Sequence, residues 1–329
     1  MKKTNKYIYK IIERLRDGNY HDGNTIGTEL AITRTMVWKI MKKMMQYAIP
    51  IDSIKGKGYA LREPFSLLDE SKIKTDIPLH ILETIDSTNN YLKKFRNSKT
   101  PVICLSEHQS KGKGRLNREW HSPYGQNIYF SCLYPFQKDV SELAGLSLLV
   151  SLAVVKTLQK FGVSDLLTVK WSNDVMFDQK KLSGNLIEVF AETHDVCDAI
   201  IGIGININML NDANAITQEW TSLREILGKY VDRNIICTEL ITTLMDYLAR
   251  FNQSGFEVFL EEWNKVDGLR HQFIRLLNIN QEVTGKVIGV NRYGYLLLEL
   301  PTGEVKAFSS GQTSIVKRRP AIYSRDPEG

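Results

Sequence analysis

Apolar positions in the first 61 residues fall at helical spacing and then at strand spacing. Ile8, Ile11, Ile12 and Leu15 recur three and four residues apart, which predicts a helix ended by Asp17-Gly18. A second, short helix is predicted over Thr25–Leu30 with Asn24 as its cap. Ile32 sits in a tight turn, and Thr33 caps a third helix that runs to about Tyr47. There Val37, Ile40, Met41 and Met44 form one apolar stripe, while Arg34, Thr35, Trp38, Lys39 and Lys42 occupy the other face. Two β-prone pieces, Ile51–Ile54 and Tyr59–Leu61, flank Lys55-Gly56-Lys57-Gly58.

Pro64 interrupts this pattern, and Arg62 to about Asp69 reads as a linker. From Leu79 the chain becomes mixed α/β. Asp86-Ser87-Thr88-Asn89-Asn90 reads as a strand end followed by a helix cap, and Val102–Glu107 and Asn127–Tyr134 as strands. Leu143 to Phe161 reads as one long buried helix stopped by Gly162, and Leu167–Trp171, Leu182–Val189 and Ala199–Ile207 as further strands. Beyond about Gly268 the pattern is all-β. Phe273–Leu277, Glu282–Val290 and Tyr295–Leu300 are short strands with turns at Asn291–Gly294 and Pro301–Gly303, which predicts a small barrel. Lys317 to Gly329 reads as a frayed tail. The domains expected are 1–63, 64–268 and 269–329.

Charge sharpens the reading of the first domain. Residues 1–63 carry 13 Lys/Arg against 6 Asp/Glu, so the whole excess of positive charge lies there. Three helices followed by a basic hairpin outline a winged helix-turn-helix. Its third helix would enter a DNA major groove, and the wing lysines Lys55 and Lys57 would meet phosphates. A three-helix protein-interaction module with a solvated basic face is the other reading of the same residues. Four scattered cysteines with no CxxC pair point to reduced thiols in a cytoplasm and away from a zinc site. The lysine-bearing start has no signal-like apolar run, and the longest apolar stretch is short of a bilayer span, so a cytoplasmic protein without a membrane partner is expected. There is no HExxH and no Gly-x-Ser-x-Gly.

The chemistry gathers in four polar segments of the central region. Gln109 leads into a loop in which Gly112 and Gly114 bracket Lys113, with Arg115 and Arg118 close behind. Glycines let several backbone N–H groups converge on an anion, and the cations add charge-assisted hydrogen bonds. The loop reads as an anion clamp or as a basic hairpin tip. Ser87-Thr88-Asn89, Lys170-Trp171-Ser172-Asn173-Asp174 and Lys180-Lys181-Leu182-Ser183-Gly184 are the others, each also explicable alone as a cap or turn. Gly202-Ile203-Gly204-Ile205-Asn206 lacks the third glycine of a dinucleotide fingerprint, and no Walker A run occurs.

Taken together, these segments stand in the order and spacing of a known family. The chain resembles the bifunctional biotin–protein ligases that also repress the biotin operon, over nearly all 329 residues. The resemblance implies an α+β multidomain fold: a winged helix-turn-helix, a central mixed α/β catalytic domain of the biotin/lipoate ligase type, and a small SH3-like β-barrel. It also implies a two-step reaction with ATP and biotin as substrates, Mg²⁺ travelling with ATP, and no tightly bound prosthetic group. Biotinyl-5′-adenylate forms first, and biotin then passes to a lysine of a biotin carboxyl carrier domain. Operator DNA and a homodimer formed on adenylate binding are the further partners implied.

The same resemblance assigns roles by position. Ser87, Thr88, Asn89 and Gln109 would hold the ureido ring, while Gly112, Lys113, Gly114 and Arg115 would wrap the ligand, and Gly184 and Gly204 would leave room for its chain. Arg115 and Lys181 would be catalytic, meeting the reacting carboxylate and phosphate. Arg118, Asn173, Asn206 and Trp220 would face ATP or the adenylate, with Asp174 holding Mg²⁺ or orienting Lys181. The loop departs from the family's Gly-Arg-Gly-Arg-x-Gly: Lys113 replaces an Arg, losing the planar fork, and Asn117 replaces a Gly. Val316 stands where an Arg is expected, followed by Lys317 and Arg318, and Arg275 matches a family Lys. A regulator that senses biotin without ligating it, and a lipoate ligase, are the two competing functions. Pyrophosphate release would exclude the first, and the winged helix and loop speak against the second.

Overall fold

A computed structural model of the chain describes residues 3–163, 166–193, 196–210, 216–278, 281–309 and 313–315. The Val316–Arg318 departures and the tail read at 317–329 lie outside the described residues. Helices α1 (Lys3–Leu15), α2 (Gly23–Leu30) and α3 (Arg34–Gln46) precede a hairpin of β1 (Ile51–Ile54) and β2 (Gly58–Leu61). The predicted stripes of α1 and α3 meet Ile26 in one core. The cap of α2 is Asp22 and not Asn24: its carboxylate accepts from the Asn24 and Thr25 amides at 2.9 and 3.1 Å, so the helix starts at Gly23. Thr33 caps α3 by accepting from the Met36 amide. His21 pairs with Tyr59 through two 2.9 Å backbone bonds, an isolated bridge on the free edge of β2.

The segment read as a linker is bound tightly. Phe65 and Leu67 complete the core of the N-terminal unit together with Tyr124 of the central region. The amides of Ser66, Leu68 and Asp69 donate to Tyr230 Oη, Glu107 Oε1 and Asn234 Oδ1. Pro64 breaks the pattern of the elements before it, but the apolar residues that follow are anchors. At the same junction the rings of Tyr47 and Tyr124 stack at 4.2 Å, nearly parallel, and Lys43 pairs with Glu83 at 3.0 Å.

The central region is built on a seven-stranded sheet. In chain order its elements are β3 (Leu79–Ile85), α4 (Thr88–Leu92), β4 (Val102–Gln109), β5 (Ile128–Phe136), α5 (Leu146–Gln159), β6 (Leu167–Lys170), β7 (Asp174–Phe177), β8 (Lys180–Thr193) and β9 (Val196–Ile205). The strand order is β3-β4-β5-β9-β8-β7-β6, with only β3 and β4 parallel. The central strands β4, β5 and β9 are covered on both faces and are buried along almost their whole length. Along β4, Ile103 and Leu105 enter the main core with α5, whereas Val102 and Cys104 pack against Leu92 of α4. The run Val140–Gln159 is long and apolar enough to cross a bilayer, but it is a core helix buried almost all round. Its start differs from the reading: Gly145, at φ +85°, breaks it, and a short 3₁₀ turn covers Val140–Leu143. The Lys170–Asp174 run ends β6 as expected and turns directly into β7, with Lys170 paired opposite Asp174.

After β9 come α6 (Leu223–Leu227), α7 (Arg233–Ser254) and α8 (Leu260–Val266), where the sequence reading placed no element. Helix α7 packs beside α5, and its first residue, Arg233, is completely buried. The C-terminal unit is an antiparallel sheet of β10 (Phe273–Asn278), β11 (Gln281–Val290), β12 (Leu296–Glu299), β13 (Val305–Phe308) and β14 (Thr313–Ile315), ordered β13-β12-β11-β10-β14. The first three strands were predicted and the last two were not.

Candidate functional site

The α4 face of the sheet opens into a cavity of about 730 Å³, within the range of small-molecule sites. Its floor is made where β8 and β9 run side by side, with Gly184 opposite Gly204. One wall is the start of α4. The Thr88 amide and hydroxyl both donate to Gln109 Oε1, at 2.9 and 3.1 Å. Asn89 donates to Glu188 at 3.0 Å and accepts from Ser131 at 2.6 Å. Ser87 also lines the cavity. Thr88, Asn89 and Gln109 form a ready-made hydrogen-bonding wall, because each is held by a neighbour that fixes its direction.

The glycine-rich loop forms the lid. Lys113, Gly114, Arg115 and Arg118 line the cavity, and Lys113 Nζ donates to Asn90 Oδ1 at 2.7 Å. Gly112 is not on the wall: a methyl there would sit 2.4 Å from the Trp120 carbonyl and 2.8 Å from Ser122 Oγ, so it is a close-packing position at the loop's base. Leu116 and Asn117 both adopt left-handed backbone, at φ 55° and 57°, so Asn117 makes the turn that a glycine would. Leu116 is two-thirds exposed.

The opposite wall gathers the cations. Arg115 donates to Ser172 Oγ and, at 3.2 Å, to Asn173 Oδ1. Lys181 Nζ lies 2.8 Å from Asp174 Oδ1. Three consecutive residues therefore hold both groups. Burial pushes the Arg115 guanidinium below its ordinary value, opposed by Asp174 and reinforced by Arg118; a guanidinium stays charged nonetheless. Asn206 Nδ2 donates to the carbonyls of Lys181 and Thr221, at 3.4 and 3.1 Å, and Trp220 pairs with Lys181 in a parallel bridge. Asn173, Asn206 and Trp220 all line the same cavity. The wall carries five Lys/Arg against Glu119 and Asp174, so it favours anions.

Trp120 was not singled out by the sequence. Its indole covers Gly204, where a methyl would lie 2.3 Å from Cε2, and Lys181 Nζ sits 5.4 Å from the ring centroid. Its Nε1 is buried without a partner. An indole closing a polar, glycine-rich loop was the available signal. Ser172, quoted within its run but given no role, and Glu119 and Asn185 also line the cavity.

In the N-terminal unit Arg34, Thr35, Trp38, Lys39, Lys42, Lys55 and Lys57 are all exposed. Lys42 Nζ lies 5.4 Å from the Trp38 ring and Lys57 Nζ 6.0 Å from that of Tyr20. Helix α3 thus presents a row of cations with one exposed indole, the composition of a groove-reading surface.

Comparison with known proteins agrees with this division. Residues 81–206 match the Biotin/lipoate A/B protein ligase family, residues 8–60 an HTH domain, and residues 274–315 the Biotin protein ligase C terminal domain. The bifunctional ligase/repressor BirA of Salmonella typhimurium strain LT2 is 33% identical over 310 residues, covering 93% of this chain and 96% of that protein. BirA of Escherichia coli K12 is 32% identical over 318 residues, 95% and 98% of the two chains. Among solved structures, the biotin protein ligase from Aquifex aeolicus in complex with biotin and ATP superposes with a TM-score of 0.63 at 29% identity, over 73% of this chain and 99% of that one.

Proposed function

This chain belongs to the family of bifunctional biotin–protein ligases and repressors, and we propose that its two activities divide between the cavity and the basic face of α3. It is an ATP-dependent biotin–protein ligase and a biotin-responsive repressor of biotin synthesis genes, with biotin, ATP and operator DNA as ligands. The observation that carries the site reading is the convergence of Arg115 and Lys181, distant in sequence, on the Ser172–Asp174 run.

Adenylation joins two anions. A carboxylate oxygen of biotin attacks the α-phosphorus of ATP, a new P–O bond forms, the bond to the β-phosphate oxygen breaks, and pyrophosphate leaves. Arg115 and Lys181 lie preorganised where that negative charge concentrates, so they need no reorganisation during the step. Thr88, Asn89 and Gln109 hold the ureido ring. Arg118, Asn173, Asn206 and Trp220 flank the nucleotide. Among the described residues no group of three His, Cys, Asp or Glu could hold a metal. Mg²⁺ binds chiefly through phosphates with one or two carboxylates, and Asp174, the carboxylate beside Lys181, would be the residue to hold it. In the second step a carrier-domain lysine attacks the acyl carbon, its C–O bond to AMP breaks, and the amine loses a proton.

Three partner readings complete the proposal. A biotin carboxyl carrier domain receives the biotin. The protein acts in the cytoplasm, in keeping with four buried, unpaired cysteines. It pairs with a second copy along β8: β7 covers this strand only as far as Gly184, and the edge from Asn185 carries no strand among the described residues. A two-fold pair suits a two-part operator.

Incubation with ATP, Mg²⁺, biotin and a carrier domain, followed by the mass of the carrier and release of pyrophosphate, tests the ligase. Lys181→Ala and Arg115→Ala should each abolish both, by at least ~10²-fold; unchanged biotin transfer by the two variants refutes the site.

A further inference from the structure

The wall that carries Ser172 and Asn173 is gripped from behind by the C-terminal unit. Trp171, buried but lining the cavity, donates from its indole Nε1 to the carbonyl of Gly294 at 3.2 Å. Gly294 closes the Asn291–Gly294 turn, where its amide donates to Asn291 at 2.8 Å with φ +75°. A methyl on Gly294 would lie 2.8 Å from Gly145 Cα and 2.9 Å from Leu148 Cδ1. Gly145 in turn starts α5, and two residues on, Ser147 Oγ lies 2.9 Å from both the Ser172 carbonyl and Asn185 Oδ1. Two elements thus hold Trp171 and Ser172, and they touch each other through a contact with room for glycine only.

The 171–173 run is a loop between two short strands, so little of its shape is set by its own ladder. Its geometry depends on what supports it, and the group resting on its cavity side is Arg115. A small displacement of reacting groups costs a site disproportionately, since orientation is most of what a preorganised cation supplies.

We propose that Gly294 is a positioning residue for adenylation, through which the C-terminal unit sets the Trp171–Asn173 run and, through it, the Arg115 guanidinium. The proposal rests on the reading of Arg115 as the cation that meets ATP. It explains why a turn remote from the ligand approaches α5 so closely. The group at work is the backbone of Gly294, with its carbonyl as acceptor and its missing side chain as clearance. The biotin wall at Ser87–Asn89 belongs to α4 and is untouched by this contact, so the ureido contacts stay in place and the effect falls at Arg115, where the carboxylate meets ATP.

The test uses the full chain in two variants. Gly294→Ala inserts a methyl where φ is positive and clearance is absent; Trp171→Phe keeps an aromatic ring and removes only the N–H donor. Hydrogen exchange of the 171–173 amides, thermal midpoints, biotin binding by calorimetry, and the KM values for ATP and biotin in pyrophosphate release are measured. Exchange at 171–173 should rise at least tenfold in both variants, and the KM for ATP at least tenfold, with biotin affinity within twofold of the parent. Unchanged exchange in both variants overturns the mechanical link. Raised exchange with an unchanged KM for ATP, or an equal loss of biotin affinity, overturns the positioning role. A parent protein that releases no pyrophosphate sinks the ligase reading instead, and the exchange data still decide the link.

Discussion

Removing the buried guanidinium at the head of α7 should loosen the molecule where its units meet. Arg233 is fully buried and donates to Glu107 Oε2 at 2.7 Å, Ser66 O at 2.8 Å and Asn127 O at 3.1 Å. Burial pushes its pKa down, but the Glu107 charge beside it outweighs this and leaves it raised. Arg233→Met keeps the apolar stem and strands three acceptors. Glu107, itself 4% exposed, would keep only the Leu68 amide at 2.5 Å. Breaking a buried pair from one side costs about 3–5 kcal/mol. At ~2–4 °C per kcal/mol for folding units of this size, the unfolding midpoint should fall by roughly 6–20 °C. Glu107→Gln on top of Arg233→Met removes the orphaned charge, so the double variant should be more stable than the sum of the two single losses predicts, by about 0.5–3 kcal/mol. Scanning calorimetry of the four proteins measures this. A fall of less than ~2 °C for Arg233→Met, or strict additivity, refutes the reasoning.

Other outcomes follow from single contacts. Gly204→Ala places a methyl 2.3 Å from the Trp120 indole, and biotin affinity by calorimetry should fall more than ~10-fold, the scale of a lost methylene-sized fit; parental affinity would show that the indole does not belong to the binding wall. Burial pushes the Glu188 carboxyl up, but hydrogen bonds from Lys93 and Asn89 outweigh it and hold it below the ordinary value. Its stabilising effect is therefore complete above the unfolded carboxylate pKa of ~4.3 and disappears as pH falls through the lower folded value. Acidification from about pH 5 to 3 should lower the parent's midpoint more than that of Glu188→Gln, and parallel curves would dispose of the idea. Arg34→Ala or Lys39→Ala should weaken operator binding in a gel-shift series while leaving biotin transfer unchanged; equal affinity of the parent for an unrelated duplex would reduce the face to non-specific binding.

Periodicity was enough for α1, α3 and the wing, because each buries one stripe against a single core. Helix α5 was also legible, although its first turn follows Gly145, where the left-handed backbone and the nearness of Phe256 leave no room for a side chain. Helix α7 was missed because its first turns bury Arg233 and Asn234, polar residues that serve the Phe65–Asp69 segment and so break the apolar pattern. The cavity followed from the glycine-flanked cations and the polar runs. What the sequence did not disclose were contacts made at a distance: Trp120 over Gly204, Ser172 under Arg115, and Gly112 packed at the loop's base. Such pairings depend on which strands become neighbours.

The stack of Tyr47 on Tyr124 has a thermodynamic meaning for operator encounter. A reading head hung on a free tether loses its tumbling when it meets a duplex, and affinity falls by that loss. Here the N-terminal unit is seated by an aromatic stack and by Lys43 on Glu83, so a duplex read by α3 would meet an already aimed helix. The seat and the wall of the cavity also share one short stretch of backbone, with Trp120 lining the cavity at one end and Tyr124 stacked on Tyr47 at the other.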